Sequence, residues 1–223
     1  MTKPIFNVAL DGPAGAGKST MARAAAKRLQ FVYVDTGAIY RTIAFAVLQN
    51  HIDPADAAAV AALLPTLSLS MRWAQDAQHM LLGGEDVTDR IRQPEISRCA
   101  SHISAQSAVR DFLLETQRAA ARENSVIMDG RDIGTVVLPD ADVKIFLTAS
   151  AEVRAKRRFL ELGGAESYEA VLRDMTERDW RDTHREIAPL RQAQDAVVLD
   201  TSELTLDESI ETLVHIIREK LDV

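Results

Sequence analysis

The spacing of apolar residues along the chain predicts strands that alternate with helices. Short apolar runs that stop at a turn or a polar residue are typical of strands buried in a sheet, and they lie at 5–10, 31–34, 125–128, 143–147 and 196–199. Apolar residues at helical spacing are found between and after them, at 18–29, 38–49, 108–122, 151–162, 168–181 and 206–221. This alternation predicts an α/β fold in which helices flank both faces of a parallel sheet.

The pattern changes over residues 54–105. After a predicted helix at 56–64, Leu67–Met71 alternates apolar and polar side chains, as a half-exposed strand does, and Met80–Leu82 is its expected antiparallel partner. An antiparallel hairpin within a chain of alternating strands and helices indicates an insertion. We therefore predict an inserted lobe at 54–105 and a core made of residues 1–53 and 106–223.

Aspartates follow the predicted strands at the points where they end. They are Asp11, Asp35, Asp129 and Asp200. Because ligands of such sheets bind beyond the carboxyl ends of the strands, these residues mark the edge at which we expect the site.

A phosphate-binding loop follows the first strand and leads into the first helix. The stretch matches the pattern G-x-x-x-x-G-K-[ST] and consists of Gly12, Pro13, Ala14, Gly15, Ala16, Gly17, Lys18 and Ser19. Glycines let backbone N–H groups curl around phosphate oxygens, and the start of the helix faces the anion with unpaired N–H groups. Lys18 is expected to reach the β- and γ-phosphates of ATP, and the Ser19 hydroxyl to bind Mg²⁺.

The loop alone does not identify what accepts the phosphate, because GTPases, motor ATPases and small-molecule kinases share it. No N-K-x-D stretch that would read guanine occurs in the sequence, and the chain is short for a motor domain. A glycine-rich turn without a ligand would show the same letters, but the preceding strand and the following helix favour a nucleotide site.

Arginines are concentrated near the strand ends and in the two helices at 151–181. Two anionic substrates whose phosphates must approach each other require many positive donors, which these arginines would supply. The alternative for arginines mixed with aspartates on a helix is a solvated pair on the surface. That alternative is weaker for Arg131-Asp132, which follows Asp129-Gly130 at a strand end.

Composition narrows the class of protein. The chain has 223 residues and a net charge of −7, whereas proteins that bind duplex DNA are more often basic. Cys99 is the single cysteine, so no disulfide forms within the chain, and we interpret it as a core thiol. No apolar run approaches the roughly 20 residues of a membrane span. We expect a cytoplasmic protein that binds neither membranes nor nucleic acid.

The sequence resembles the cytidylate kinase family from about residue 5 to the end, in the family's order. The resemblance is carried by 12–20, 35–41, 83–88, 129–141, 144–148 and 178–190, and the run Asp129–Val137 is highly specific. It implies transfer of the ATP γ-phosphate to CMP or dCMP in pyrimidine metabolism. It also implies that the insert binds the monophosphate and that a short lid lies at about 154–167. We expect the protein to be a monomer.

The resemblance assigns roles to individual residues. Thr20 and Arg157 would join the loop in binding ATP. Cytosine would be read by Ser101, Arg110 and Asp132; the ribose would face Thr36, Arg178 and Asp182; the monophosphate would be held by Arg41, Arg131 and Arg185. Lys18, Arg131, Arg158 and Arg185 would act in catalysis, and Arg154, Arg157 and Arg158 would close with the lid.

Two alternatives stay open at this point. One is a kinase of the same fold that acts on another monophosphate or on a metabolite hydroxyl. The other is a regulatory module that binds ATP and transfers nothing. The second would not need acceptor arginines, and Arg41, Arg110, Arg131 and Arg185 are all present.

Overall fold

The computed structural model describes residues 4–74 and 77–222. Within the predicted core and lobe, residues 1–3, 75–76 and 223 lie outside the described residues. The chain divides into two compact units, one formed by residues up to 32 together with those from 124 onward, and one formed by 33–123.

The elements follow the predicted alternation. The strands are β1 (Asn7–Asp11), β2 (Val32–Asp35), β3 (Leu69–Ala74), β4 (Ala77–Leu82), β5 (Glu85–Asp86), β6 (Val126–Gly130), β7 (Val143–Thr148) and β8 (Val197–Asp200). The helices are α1 (Lys18–Leu29), α2 (Thr36–Gln49), α3 (Ala57–Leu63), α4 (Pro94–Ile103), α5 (Ser107–Glu123), α6 (Ala151–Glu161), α7 (Tyr168–His184) and α8 (Leu206–Leu221). Single turns of 3₁₀-helix lie at Leu64–Thr66 and Arg90–Arg92, and a π-helical turn lies at Ile133–Val137.

A parallel sheet forms the centre of the first unit. Its strands have the order β6-β1-β7-β8, and β2 joins beside β6 through Val32, whose N–H donates to the Ser125 carbonyl at 2.8 Å. The central residues Val8, Ala9 and Leu10 are completely buried, as expected for a strand covered on both faces. This confirms the predicted α/β fold with a parallel sheet, and it brings the loops after β1, β6, β7 and β8 to one edge.

The second unit combines helices with an antiparallel sheet of order β3-β4-β5. Leu69 pairs with Leu82 and Ala74 with Ala77, which confirms the predicted hairpin. Helix α2 packs on α4, where the Cys99 thiol is buried and contacts the Ala44 carbonyl at 3.8 Å. Burial, together with the charge of Glu95, raises the pKa of this thiol to about 11, so Cys99 is the inert core residue that the sequence predicted.

Helix α4 was not predicted from the sequence. It begins at Pro94, a residue favoured in the first turn, and its buried residues Ile96, Cys99, Ala100 and Ile103 have helical spacing. Those two signals together would have located it. Among the described residues, none of the helices has both the length and the apolar character needed to cross a bilayer.

Gly12 is required by the backbone at the edge of the sheet. Its φ is +151°, and a Cβ placed on it would lie 1.9 Å from the carbonyl oxygen of Leu147 in β7. Because that oxygen belongs to the backbone of a central strand, it cannot move aside as a flexible side chain would. The loop therefore turns away from β1 only with glycine at this position.

We expect Gly12→Ala to lower the free energy of unfolding by about 3 kcal/mol or more, because it adds overpacking to an unfavourable φ. Gly164→Ala is the matched control: its φ is +79°, and the described residues place no atom within 4 Å of the added Cβ. The control should cost about 1 kcal/mol, from φ alone. Urea denaturation followed by circular dichroism measures both, and equal losses would contradict a steric requirement at Gly12.

Candidate active site

The phosphate-binding loop joins β1 to α1. Gly17, with a φ of 86°, precedes the helix and makes no side-chain capping bond, so the first N–H groups of α1 are available to an anion. Lys18 is only 6% exposed, and its Nζ donates to the Pro13 carbonyl oxygen at 2.7 Å. The ammonium group therefore lies over the loop, where phosphate oxygens would bind.

Positive charge is concentrated around Lys18. Burial lowers the pKa of the Lys18 ammonium well below its usual value, and the guanidinium groups of Arg131 and Arg178 lower it further. The carboxylates of Asp129 and Asp11 act in the opposite direction. A group of cations that destabilise one another in this way is stabilised by a bound polyanion such as a nucleotide phosphate.

Ser19 and Asp129 form a pair of oxygen donors beside the loop. The Ser19 Oγ donates to the Asp129 Oδ2 at 2.7 Å, across from α1 to the end of β6. Sequence reasoning placed Asp129 at a strand end but gave it no role. No local signal in the sequence singles it out, because its contact with Ser19 depends on β6 pairing directly beside β1.

Two ion pairs lie on the loop after β6, each between a buried aspartate and a partly buried arginine. Arg131 Nε lies 2.9 Å from the Asp182 Oδ2, and an Arg185 amino group lies 3.3 Å from the Asp132 Oδ1. Asp182 belongs to α7, and Arg185 directly follows that helix. These contacts bring together four predicted substrate ligands that are about 50 residues apart in sequence.

The electrostatics of Asp182 keep it ionised. Burial alone would raise its pKa, but the charges of Arg131, Arg178 and Arg185, with the hydrogen bond from Arg131, bring the pKa below its ordinary value. Arg185 is also held by its backbone neighbours, since its Nε donates to the Ala188 carbonyl at 2.7 Å. The carboxylates of Asp182 and Asp132 are therefore hydrogen-bond acceptors held in place by neighbouring arginines.

The three arginines assigned to the lid have different surroundings. Arg154 is buried and donates to the carbonyls of Ala149 and Ala14, at 2.8 and 3.0 Å, while its third nitrogen lies 2.7 Å from Asp179. Since Ala14 belongs to the phosphate-binding loop, Arg154 connects that loop to α7, and the alternative of a solvated surface pair does not apply to it.

Arg157 and Arg158 follow on the same helix but lie in more open positions. Arg157 donates to the Thr201 carbonyl at 2.8 Å and to the Thr201 hydroxyl at 3.2 Å. Arg158 is exposed and pairs with Glu161 one turn later, at 3.1 Å. Of the three, Arg158 has the contacts that are easiest to exchange.

In the second unit, Asp35 organises the start of α2. Its Oδ1 accepts from the Ala38 N–H at 2.8 Å, and its Oδ2 lies 2.9 Å from an Arg41 amino group. Thr36 is buried beside it as the first residue of the helix. The Gln78 side chain from β4 accepts from the Asp35 N–H at 2.7 Å, so the small sheet fixes the backbone that carries Thr36 and Arg41.

Ser101 and Arg110 also belong to the second unit. Arg110 is buried, donates to the Ser104 carbonyl at 3.1 Å and lies over the Tyr40 ring at 5.9 Å. The Ser101 Oγ is buried and finds no hydrogen-bond partner within the part of the chain that the structure describes. A buried hydroxyl without a partner is unfavourable, so it marks a position where a ligand would supply the hydrogen bond.

Comparison with solved structures shows the fold. The crystal structure of shikimate kinase from Bacteroides thetaiotaomicron aligns with a TM-score of 0.53, covering 99% of this chain and 100% of that one. The two sequences are 14% identical. At this level the likeness concerns the arrangement of the sheet and helices alone.

Comparison with protein sequences shows the family. The family profile described as cytidylate kinase matches residues 8–219. The cytidylate kinase of Carboxydothermus hydrogenoformans is 48% identical, with 98% of this chain and 100% of that protein aligned. The cytidylate kinase of Caldicellulosiruptor saccharolyticus is 46% identical over 95% of each chain. With the phosphate-binding loop and the paired carboxylates in place, the chain belongs to the cytidylate kinase family.

Proposed function

We propose that this protein transfers the γ-phosphate of ATP to CMP or dCMP, giving ADP and CDP or dCDP. The observation that carries the proposal is the arrangement within the first unit. Lys18 of the phosphate-binding loop shares its surroundings with Arg131 and Arg178, and the carboxylates Asp132 and Asp182 are each paired with an arginine. These few segments would supply both phosphate recognition and a hydrogen-bonding site for the acceptor, in a member of the cytidylate kinase family.

ATP is held in this proposal by the phosphate-binding loop. The free N–H groups at the start of α1 and the loop amides face the β- and γ-phosphates, and the Lys18 ammonium exchanges the Pro13 carbonyl for a phosphate oxygen. Thr20, exposed on the first turn of α1, and Arg157 complete the ATP contacts. The favourable free energy of ATP binding would come from charge neutralisation in a partly dehydrated site.

Mg²⁺ is the metal we assign to the reaction. Among the described residues there is no group of three or more metal-ligating side chains, which suits an ion that is bound mainly by ATP phosphates and water. Ser19 would ligate the ion, and Asp129, already hydrogen-bonded to Ser19, would accept from its bound water. When bound, Mg²⁺ neutralises charge on the transferring phosphoryl group.

The acceptor contacts follow the chemistry of cytosine. Asp132 is an acceptor and matches the N4 amino group, whereas Arg110 and Ser101 are donors and match the ring acceptors. Thr36, Arg178 and Asp182 bind the ribose, and Arg41, Arg131 and Arg185 bind the monophosphate. All of these assignments rest on the resemblance to the family. The buried Ser101 Oγ, which lacks a hydrogen-bond partner among the described residues, supports the role given to Ser101.

Transfer itself requires positioning and charge stabilisation, without a covalent intermediate on the protein. Lys18, Arg131 and Arg185 hold positive charge where the phosphoryl group moves, and Arg158 joins them when the lid at about 154–167 closes. Closure of that lid and of the lobe at 54–105 would exclude water, so that ATP is transferred to CMP and not hydrolysed. We assign the reaction to a cytoplasmic monomer whose partners are small molecules, with no nucleic acid or membrane bound.

Replacing Lys18 should stop transfer without unfolding the protein. Because Lys18→Ala removes a buried charge beside the β- and γ-phosphates, we expect turnover to fall by about 100-fold or more. Lys27→Ala, at an exposed position of the same helix, is the control and should retain activity. Turnover is measured as ADP release with ATP, Mg²⁺ and CMP. Near-parental turnover in Lys18→Ala would refute the assignment of the loop as the ATP site.

The base preference depends on Asp132. A carbonyl replaces the amino group in UMP, so Asp132 would face an acceptor, and sites that hydrogen-bond a distinguishing group discriminate by up to about 10⁴-fold. We expect CMP and dCMP to be far better acceptors than UMP, with AMP and GMP nearly inert. Asp132→Ala should lose most of its efficiency with CMP while its affinity for ATP stays close to that of the parent.

Asp140→Ala is the control for that experiment, because Asp140 is exposed in the same segment. The measurement is kcat/KM for each monophosphate at saturating ATP. A best acceptor other than a cytidine nucleotide would overturn the acceptor assignment but leave the phosphotransferase in place.

Activity should require Mg²⁺ completely, but the nucleotide-free protein should bind Mg²⁺ only weakly. Since few protein atoms ligate the ion, activity should disappear with EDTA and return with excess Mg²⁺, while calorimetry without ATP should detect only weak Mg²⁺ binding. Metal that copurifies tightly and stoichiometrically with the nucleotide-free protein would contradict this assignment.

A further inference from the structure

Asp11, the last residue of β1, caps a segment far from it in sequence. The residue is 4% exposed, and its two carboxylate oxygens accept from the N–H groups of Ile133 and Gly134 at 2.8 and 2.7 Å. These residues begin the π-helical turn at Ile133–Val137. The first N–H groups of a helical turn lack partners within it, so Asp11 satisfies two donors that would otherwise be buried and unpaired.

Asp132 occupies the capping position of this turn but does not cap it. Its side chain makes no capping bond and pairs with Arg185 instead, at 3.3 Å. The two carboxylates therefore divide two tasks. Asp11 satisfies the backbone, which leaves the Asp132 carboxylate available for an arginine and, in the proposed function, for the nucleobase.

The position of Asp132 is fixed from both sides. Its carbonyl oxygen accepts from the N–H groups of Val136 and Val137, at 2.9 and 3.2 Å. On the other side, Asp11 holds the two residues that directly follow Asp132. Gly134 also packs against Asp11, since a Cβ placed on it would lie 3.4 Å from the Asp11 Oδ2, in van der Waals contact.

Neighbouring groups in the same site have opposing effects on the pKa of Asp11. Burial raises the pKa of this carboxyl to about 6, and the neighbouring charge of Asp132 adds to the effect; the two backbone N–H groups and Lys18 oppose it. Because Asp11 also directly precedes Gly12, one residue connects the phosphate-binding loop with the segment that carries Asp132.

We propose that Asp11 is a positioning residue for recognition of the acceptor base. By holding the backbone at 133–134, it presents the Asp132 carboxylate in the single orientation that accepts from the amino group at position 4 of a pyrimidine. This inference rests on the proposed function, since it takes Asp132 as the group that reads the base.

Asp11→Asn tests the inference at nearly constant volume. It keeps one carbonyl acceptor but turns the other oxygen into an NH₂ group that faces a backbone N–H, so one buried donor loses its partner. We expect kcat/KM for CMP to fall by about 10- to 100-fold and the ratio of CMP to UMP efficiency to fall by about tenfold. The KM for ATP should change by less than about threefold, because the loop and Lys18 are retained.

The selectivity ratio distinguishes positioning from stability. A purely structural role would lower efficiency with CMP and UMP by the same factor, and an unchanged ratio would overturn the inference. Asp11→Ser, whose shorter side chain withdraws both accepting oxygens without placing an amide NH₂ group against the two N–H groups, should lower the ratio as well. Failure of both variants to fold, seen as loss of the thermal transition, would assign Asp11 to stability alone and would also overturn it.

A parallel measurement on Asp132→Asn separates this inference from the proposed function. If that variant loses the CMP preference while Asp11→Asn keeps it, the role of Asp11 is wrong and the proposed function stands. If the parent shows no CMP preference, the proposed function is wrong and the role of Asp11 is wrong with it. Loss of the preference in both variants, with ATP affinity kept, supports both.

Discussion

The buried ammonium of Lys18 is the constraint on which the rest of the site depends. A charge taken out of water must be compensated, and here carbonyl and carboxylate oxygens from the loop, β1 and β6 do so. Those oxygens are available because a parallel sheet ends its strands at one edge. Arg131, just after β6, and Arg178 of α7 add positive charge beside this ammonium, so a bound anion would stabilise all three groups.

The ion pairs after β6 have a second consequence for binding. Arg131 and Arg185 are already ordered by Asp182 and Asp132, so little side-chain entropy is lost when a ligand arrives. In the proposed function, a monophosphate would have to share or displace these carboxylates, which would make part of the binding energy conditional on correct geometry. Such preorganisation suits an enzyme that has to hold two anions together without hydrolysing one of them.

Local signals in the sequence were sufficient for every strand except the two-residue β5, for most helices and for the phosphate-binding loop, because strand, glycine turn and helix are adjacent along the chain. The pairing of Asp132 with Arg185 was not accessible in this way, since it depends on how α7 packs. For the same reason the helical spacing of Arg154 and Arg158 gave no warning that one is buried and the other exposed. Asp11 was noted as a strand end, but its partners lie more than 120 residues away.

The contacts of Arg154 couple the phosphate-binding loop directly to α7. The guanidinium holds the Ala14 carbonyl on one side and the Asp179 carboxylate on the other, with almost no exposure to solvent. If α7 binds the acceptor and the loop binds ATP, as proposed above, a redesign that exchanges α7 would also loosen the loop, unless it first rebuilds the contacts of this buried arginine.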